Sequence, residues 1–166
     1  MTQQTTYHSR RHQEAILSGV SVGVFLILLG AIVIMTPNLI NAIVNFFNDF
    51  EITAVPNIGN APIYLPAPAH VARHVAVYTA ARTFSLIWGS FLVLFLASRF
   101  AIRSPPRRKA ENIGDIVFWF GAWYIIQTYL IDRAEWFVFW AIVILLLGVS
   151  LVVRGIVLGA YWAARH

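Results

Sequence analysis

The chain has 166 residues, 59% of them hydrophobic and 11% charged, with a formal net charge of +5. Soluble domains carry about 25% charged residues, so this composition describes one small integral membrane domain. The absence of cysteine excludes disulfides, thiolate metal sites and cysteine nucleophiles.

The first element is read from a run without charge. From Ala15 to Asn48 no side chain is ionisable. As one helix, those 34 residues would measure about 51 Å at ~1.5 Å per residue, against a hydrocarbon layer of roughly 30 Å. The run therefore divides, and Pro37 marks the join, because proline removes a helix hydrogen bond and turns the preceding residue away from helix. The first span covers about 16–36. Arg10 and Arg11 precede it and no small-x-small cleavage site lies before Thr36, so it reads as a retained signal-anchor.

An outer cap follows, about 38–70. Asn38, Asn41, Asn45 and Asn48 recur at helical spacing among Leu39, Ile43, Phe46 and other apolar residues. This is the pattern of an amphipathic helix on the membrane surface. Its amides are the candidate partner-facing groups. Beyond it, Phe50 to Thr53 alternates apolar and polar residues and Asn57-Ile58-Gly59-Asn60 supplies turn residues, which fits a short hairpin. Pro62, Pro66 and Pro68 fit an extended strap instead. Both readings stand on the sequence alone.

The second span covers about 72–103. His70, His74, Tyr78, Arg82 and Ser85 form a polar stripe along it, a candidate ligand or pore surface if it faces water, or one that faces protein. The spacing of His70 and His74 suits one metal ion, with Asp49, Glu51, Asp132 and Glu135 as the other ligands on offer. Hydrogen bonding inside the cap accounts for the pair equally. Arg82 is expected to snorkel or to pair with Asp132 or Glu135.

Residues 103–112 read as a basic loop broken by Pro105 and Pro106, with Asn112 capping a third span at about 113–131. Asp115 is expected to pair with that loop or to cap its helix, and Gln127 to bond a neighbouring helix. The turn 132–135 leads to a fourth span at about 135–163, antiparallel to the third.

Small residues mark two helix faces: Gly19, Gly23 and Gly30 on the first span, and Gly148, Gly155 and Gly159 on the fourth. Such faces let helices approach closely where the lipid offers no hydrophobic drive. One is expected to pack within the chain and the other between subunits.

Nine Lys and Arg fall on the side of the N-terminus and three on the other, so both termini are expected in the cytoplasm. No phosphate-binding loop, hydrolase elbow or zinc-protease helix is present. The basic loop follows from topology and attraction to anionic lipid, without nucleic acid.

The tracts NFFNDFEI (45–52), YLPAPAH (64–70) and FWFGAW (118–123) resemble small four-span membrane proteins of archaea. The resemblance implies a membrane protein and adds no site residues. The expected fold is an all-α bundle of four transmembrane helices with an outer amphipathic helix and a proline-rich cap. The expected function is a non-enzymatic subunit that self-assembles or joins a larger membrane complex, in contact with lipids and without a cofactor. A homo-oligomeric channel, and a metal-binding protein or enzyme using His70 and His74, are the alternatives.

Overall fold

The computed structural model describes residues 2–55, 63–101 and 104–164, with side chains described from Ser18 onward. The chain is predominantly helical. Helix α1 (Thr2–Met35) is followed by α2 (Leu39–Asn48), strands β1 (Phe50–Ala54) and β2 (Tyr64–Pro68), and a 3-10 turn at Val71–His74. Then come α3 (Val75–Ala101), α4 (Pro106–Ile125), a π-helical segment at Ile126–Asp132, and α5 (Trp136–Ala163). Among the described residues, three helical stretches are long and apolar enough to cross a membrane: Ser18–Met35, Val71–Ala101 and Trp136–Ala163.

The break at Pro37 lies where the sequence places it. Helix α1 ends at Met35, and Asn38 takes a left-handed conformation, with φ of 56°, before α2 begins. That position removes Asn38 from the helical stripe. Asn41, Asn45 and Asn48 remain on α2 and are exposed. The apolar ridge of α2, Leu39 and Ile43, joins the core that Ile32 of α1 shares with Ala80, Phe84, Trp88 and Leu92 of α3.

The cap contains a hairpin, which decides between the two readings above. Strands β1 and β2 pair antiparallel, with Phe50 opposite Pro68 and Ala54 opposite Tyr64. The N–H groups of Ile63's partner Val55 and of Ala69 close the two ends, on Ile63 O at 2.8 Å and Asp49 O at 2.8 Å. Odd-numbered positions of β2 therefore face β1. Pro66 and Pro68 fall on the even positions, where a missing N–H costs no ladder bond and blunts the free edge. The expected turn at Asn57–Asn60, with Pro62, lies outside the described residues.

Helix α4, expected as the third span, begins earlier than its apolar pattern indicates. Pro106 occupies its first turn, where a proline's lost N–H has no intrahelical partner to lose. Arg107, Arg108 and Lys109, expected in the loop, are thus helical. Asn112 is no cap: it is buried inside α4 and its Nδ2 donates to Leu92 O of α3 at 3.0 Å. Asp115 pairs with Arg154 of α5 at 2.5 Å, rather than with the basic segment or its own helix end.

Helices α4 and α5 are antiparallel neighbours. Ser150 Oγ donates to Gly114 O at 2.8 Å, Arg154 meets Asp115, and Leu146 lies against Gly121. Contacts that rise along α4 fall along α5. A Cβ at Gly114 would strike the Arg154 side chain, and one at Gly121 would strike Leu146. These two glycines, seven apart, create the close approach.

The six glycines singled out in the sequence do not. Among the described residues, a Cβ at Gly19, Gly23, Gly30, Gly148, Gly155 or Gly159 meets nothing within 4 Å. Neither stripe packs within the chain, which corrects the expectation that one would. At about 100° per residue, Gly19, Gly23 and Gly30 lie opposite Val24, Phe25, Leu28 and Ile32, the side of α1 that packs on α3. On α5 the glycines lie opposite Phe139, Val143, Leu146 and Ser150 in the same way.

Candidate functional site

The polar groups of the cap converge on Asp49. This residue follows α2 and precedes β1, so its place is set by the helix end and the hairpin register together. The backbone N–H of His70 donates to Asp49 Oδ2 at 2.8 Å. His70 Nδ1 donates to Oδ1 at 2.9 Å and His74 Nε2 to Oδ2 at 2.8 Å. An ionised carboxylate only accepts, so the proton sits on Nδ1 of His70 and on Nε2 of His74. The bonds from His70 and His74 hold the Asp49 carboxyl well below the usual carboxylate range. His74 is buried, whereas His70 is half exposed.

The metal expectation takes a different shape here. The two imidazoles each spend a nitrogen on opposite oxygens of one carboxylate. Among the described residues, no group of three or more His, Cys, Asp or Glu side chains is arranged to hold a metal ion. The arrangement ties the start of α3 to the end of α2. The spacing of the two histidines is visible in the sequence, which offers Asp49 as one of four acids; the hairpin register selects it.

Aromatic rings support this knot from below. Phe46 packs edge-on against His74 at 5.2 Å and against Tyr78 at 6.0 Å, and tilts against Trp136 at 5.9 Å. Phe50 meets Trp136 edge-on at 5.6 Å. Phe46 thus links α2, α3 and α5, a role that its apolar periodicity alone does not reveal.

The rest of the polar stripe disperses into the bundle. Tyr78 is 3% exposed, and its hydroxyl has no hydrogen-bond partner among the described residues. Arg82 donates through NH1 to Gln127 Oε1, and Gln127 Nε2 donates to Asp132 Oδ1 at 2.8 Å. The expected link from Arg82 to Asp132 therefore runs through Gln127, which sits in the π-helical segment. The extra residue per turn of such a segment re-aims side chains and is frequent at functional sites. Ser85 Oγ donates to Ala81 O at 2.8 Å.

Two cavities flank α2. The larger, about 470 Å³, lies between α1 and α2 on one side and α5 on the other, floored by α3 and α4. Ile32, Ile43, Ala80, Phe84, Trp119 and Val143 are among its walls. The smaller, about 310 Å³, is the more polar of the two and is lined by Ala42, Asn45, Asp49, Arg73, His74 and Ala76. Arg73 is exposed and its guanidinium has no partner among the described residues; the same holds for the amides of Asn41, Asn45 and Asn48.

No family model, no curated protein and no solved structure matches this chain.

Proposed function

We propose that this chain is a non-enzymatic four-span membrane protein that assembles with further copies of itself. One observation carries the reading. Both glycine stripes, on α1 and on α5, point away from the helices α3 and α4 that those elements pack on, and among the described residues nothing meets them. In lipid, helix association rests on close van der Waals packing, and an unfilled small-residue face is where a neighbouring helix gains most. Two such faces on opposite flanks supply a subunit with two contacts. Like-to-like contact closes a dimer, and α1-to-α5 contact builds a ring.

The fourth span in this reading is α4 with its π-helical extension. Pro106–Asp132 measures about 40 Å, with its charges gathered at the two ends. The Lys and Arg bias then orients both termini to the cytoplasm and the hairpin cap to the outside. The polar stripe lends no support to a pore, because His74, Arg82 and Ser85 are hydrogen-bonded within the chain.

The test is the mass of the complex after gentle extraction from the membrane. The reading expects a multiple of the 18.7 kDa chain. Gly19→Leu with Gly23→Leu, or Gly155→Leu with Gly159→Leu, should reduce it, while leaving the fold of each chain intact because nothing among the described residues meets those positions. A monomer in native-like lipid discs sinks the proposal.

A further inference from the structure

The two cavities beside α2 lie on one face of α3. Counted at about 100° per residue, Ala76 at the start of α3 shares a face with Ala80 and Phe84 further along, and Arg73 precedes it in the 3-10 turn. Arg73 and Phe84 are 11 positions apart, about 17 Å along the axis across the end of the 3-10 turn and the start of α3. A charged, water-accessible cavity thus stands at the top of an apolar one, over a distance that suits a lipid headgroup and the upper part of its chain.

The chemistry of each cavity limits what enters it. The apolar cavity presents one side-chain hydroxyl, that of Ser85, and this is already spent on Ala81 O. Only hydrocarbon enters such a space without leaving a polar group unpaired. Its volume of about 470 Å³ lies within the roughly 300–1,000 Å³ of small-molecule pockets. Helix α1 packs on α3 and α5 packs on α4, so the cavity lies between two helices that leave it open sideways, towards lipid in a membrane. In the polar cavity, Arg73 offers a guanidinium and Asn45 an amide, neither with a partner among the described residues. Asp49 also borders it, but both its oxygens accept bonds from His70 and His74, so among the described residues Arg73 is the charge there without a partner. A guanidinium beside an amide is the donor set of a phosphate site.

We propose that the two cavities together hold one phospholipid, with its phosphate diester on Arg73 and Asn45 and one hydrocarbon chain in the apolar cavity. The phosphate is common to zwitterionic and anionic lipids, so the site selects phospholipid against lipids that lack it. This proposal rests on membrane residence and is independent of self-assembly, since the lipid is counted per chain in a monomer or an oligomer.

Native mass spectrometry of the purified chain, stripped of lipid by detergent exchange and then given one defined lipid, tests it. One phospholipid per chain should be retained, and a diacylglycerol of identical chains about tenfold less. Inorganic phosphate should neither bind on its own nor displace the lipid. Arg73→Gln should lower phospholipid retention about tenfold, with Arg73→Lys between the two. Arg73 is exposed, so this variant folds. Val143→Phe, which narrows the apolar cavity, should also reduce retention. Equal retention of phospholipid and diacylglycerol, or of phospholipid by wild type and Arg73→Gln, overturns the proposal. So does a Val143→Phe variant that folds and alters the mass of the protein complex instead of its lipid count, because a second copy would then fill the cavity.

Discussion

Asp49 draws the cap together because it accepts from three donors on a segment 21 to 25 residues away: the backbone and ring of His70 and the ring of His74. A carboxylate so served has a folded pKa below its unfolded value of about 3.8. The sign follows from linkage. The bonds contribute stability above the unfolded pKa, and that contribution fades as pH falls through the folded one. Asp49→Asn should therefore lower the melting temperature at neutral pH, and the gap to wild type should persist down to about pH 4 and shrink below it. Circular dichroism melts across that range in one detergent provide the check. A gap that instead widens in acid would contradict the assignment. Phe46 carries the apolar side of the same junction, against His74, Tyr78 and Trp136. Its truncation, Phe46→Ala, should cost about 3 kcal/mol, the lower end for removing a packed phenyl ring, as read from chemical unfolding.

At the scale of the elements, the α4–α5 contact and the outer glycine stripes differ in what a methyl group would meet. Gly121 touches Leu146, so Gly121→Ala must displace that side chain and should destabilise by about 1–3 kcal/mol, the usual range for overpacking. Gly155 faces open space, and Gly155→Ala should leave the stability of the single chain unchanged or slightly raised by helix propensity. Thermal unfolding of the two variants side by side distinguishes a packed glycine from a free one. Ser150 adds a buried hydrogen bond to Gly114 O at the same contact, and Ser150→Ala should cost about 1 kcal/mol. The hairpin follows a similar logic of position. Its prolines are tolerated because the register turns them to the open edge, not because the segment lacks strand character.

For the whole molecule, the proposed orientation has a direct check, because the chain has no cysteine of its own. A single cysteine placed by Glu51→Cys in the cap should react with an impermeant reagent from outside the cell, and one placed by Arg107→Cys only after the membrane is opened. Labelling of both from the same side would overturn the four-span arrangement. How much of this was legible beforehand depended on the range of the signal. The apolar runs, the break at Pro37 and the antiparallel third and fourth helices are properties of local composition and loop length, and each can be read along the chain. Gly114 and Gly121 share the seven-residue spacing of Gly23 with Gly30 and of Gly148 with Gly155, and what sets them apart is that Arg154 and Leu146 lie over them, which spacing does not show. Asn112 read as a cap from its neighbours and is a bridge to α3 because of its depth in the bundle.

The uncharged run between Ala15 and Asn48 is thus a matter of sequence: its composition and one proline determine a long apolar helix and a separate amphipathic one. Which acid joins His70 and His74, which glycines are packed, and where cavities remain around α2 were decided by the tertiary structure. Hydrophobic length and backbone breaks act between near neighbours in sequence. Hydrogen-bond partners and close contacts are set by residues 20 to 40 positions apart, and only the folded chain brings those together.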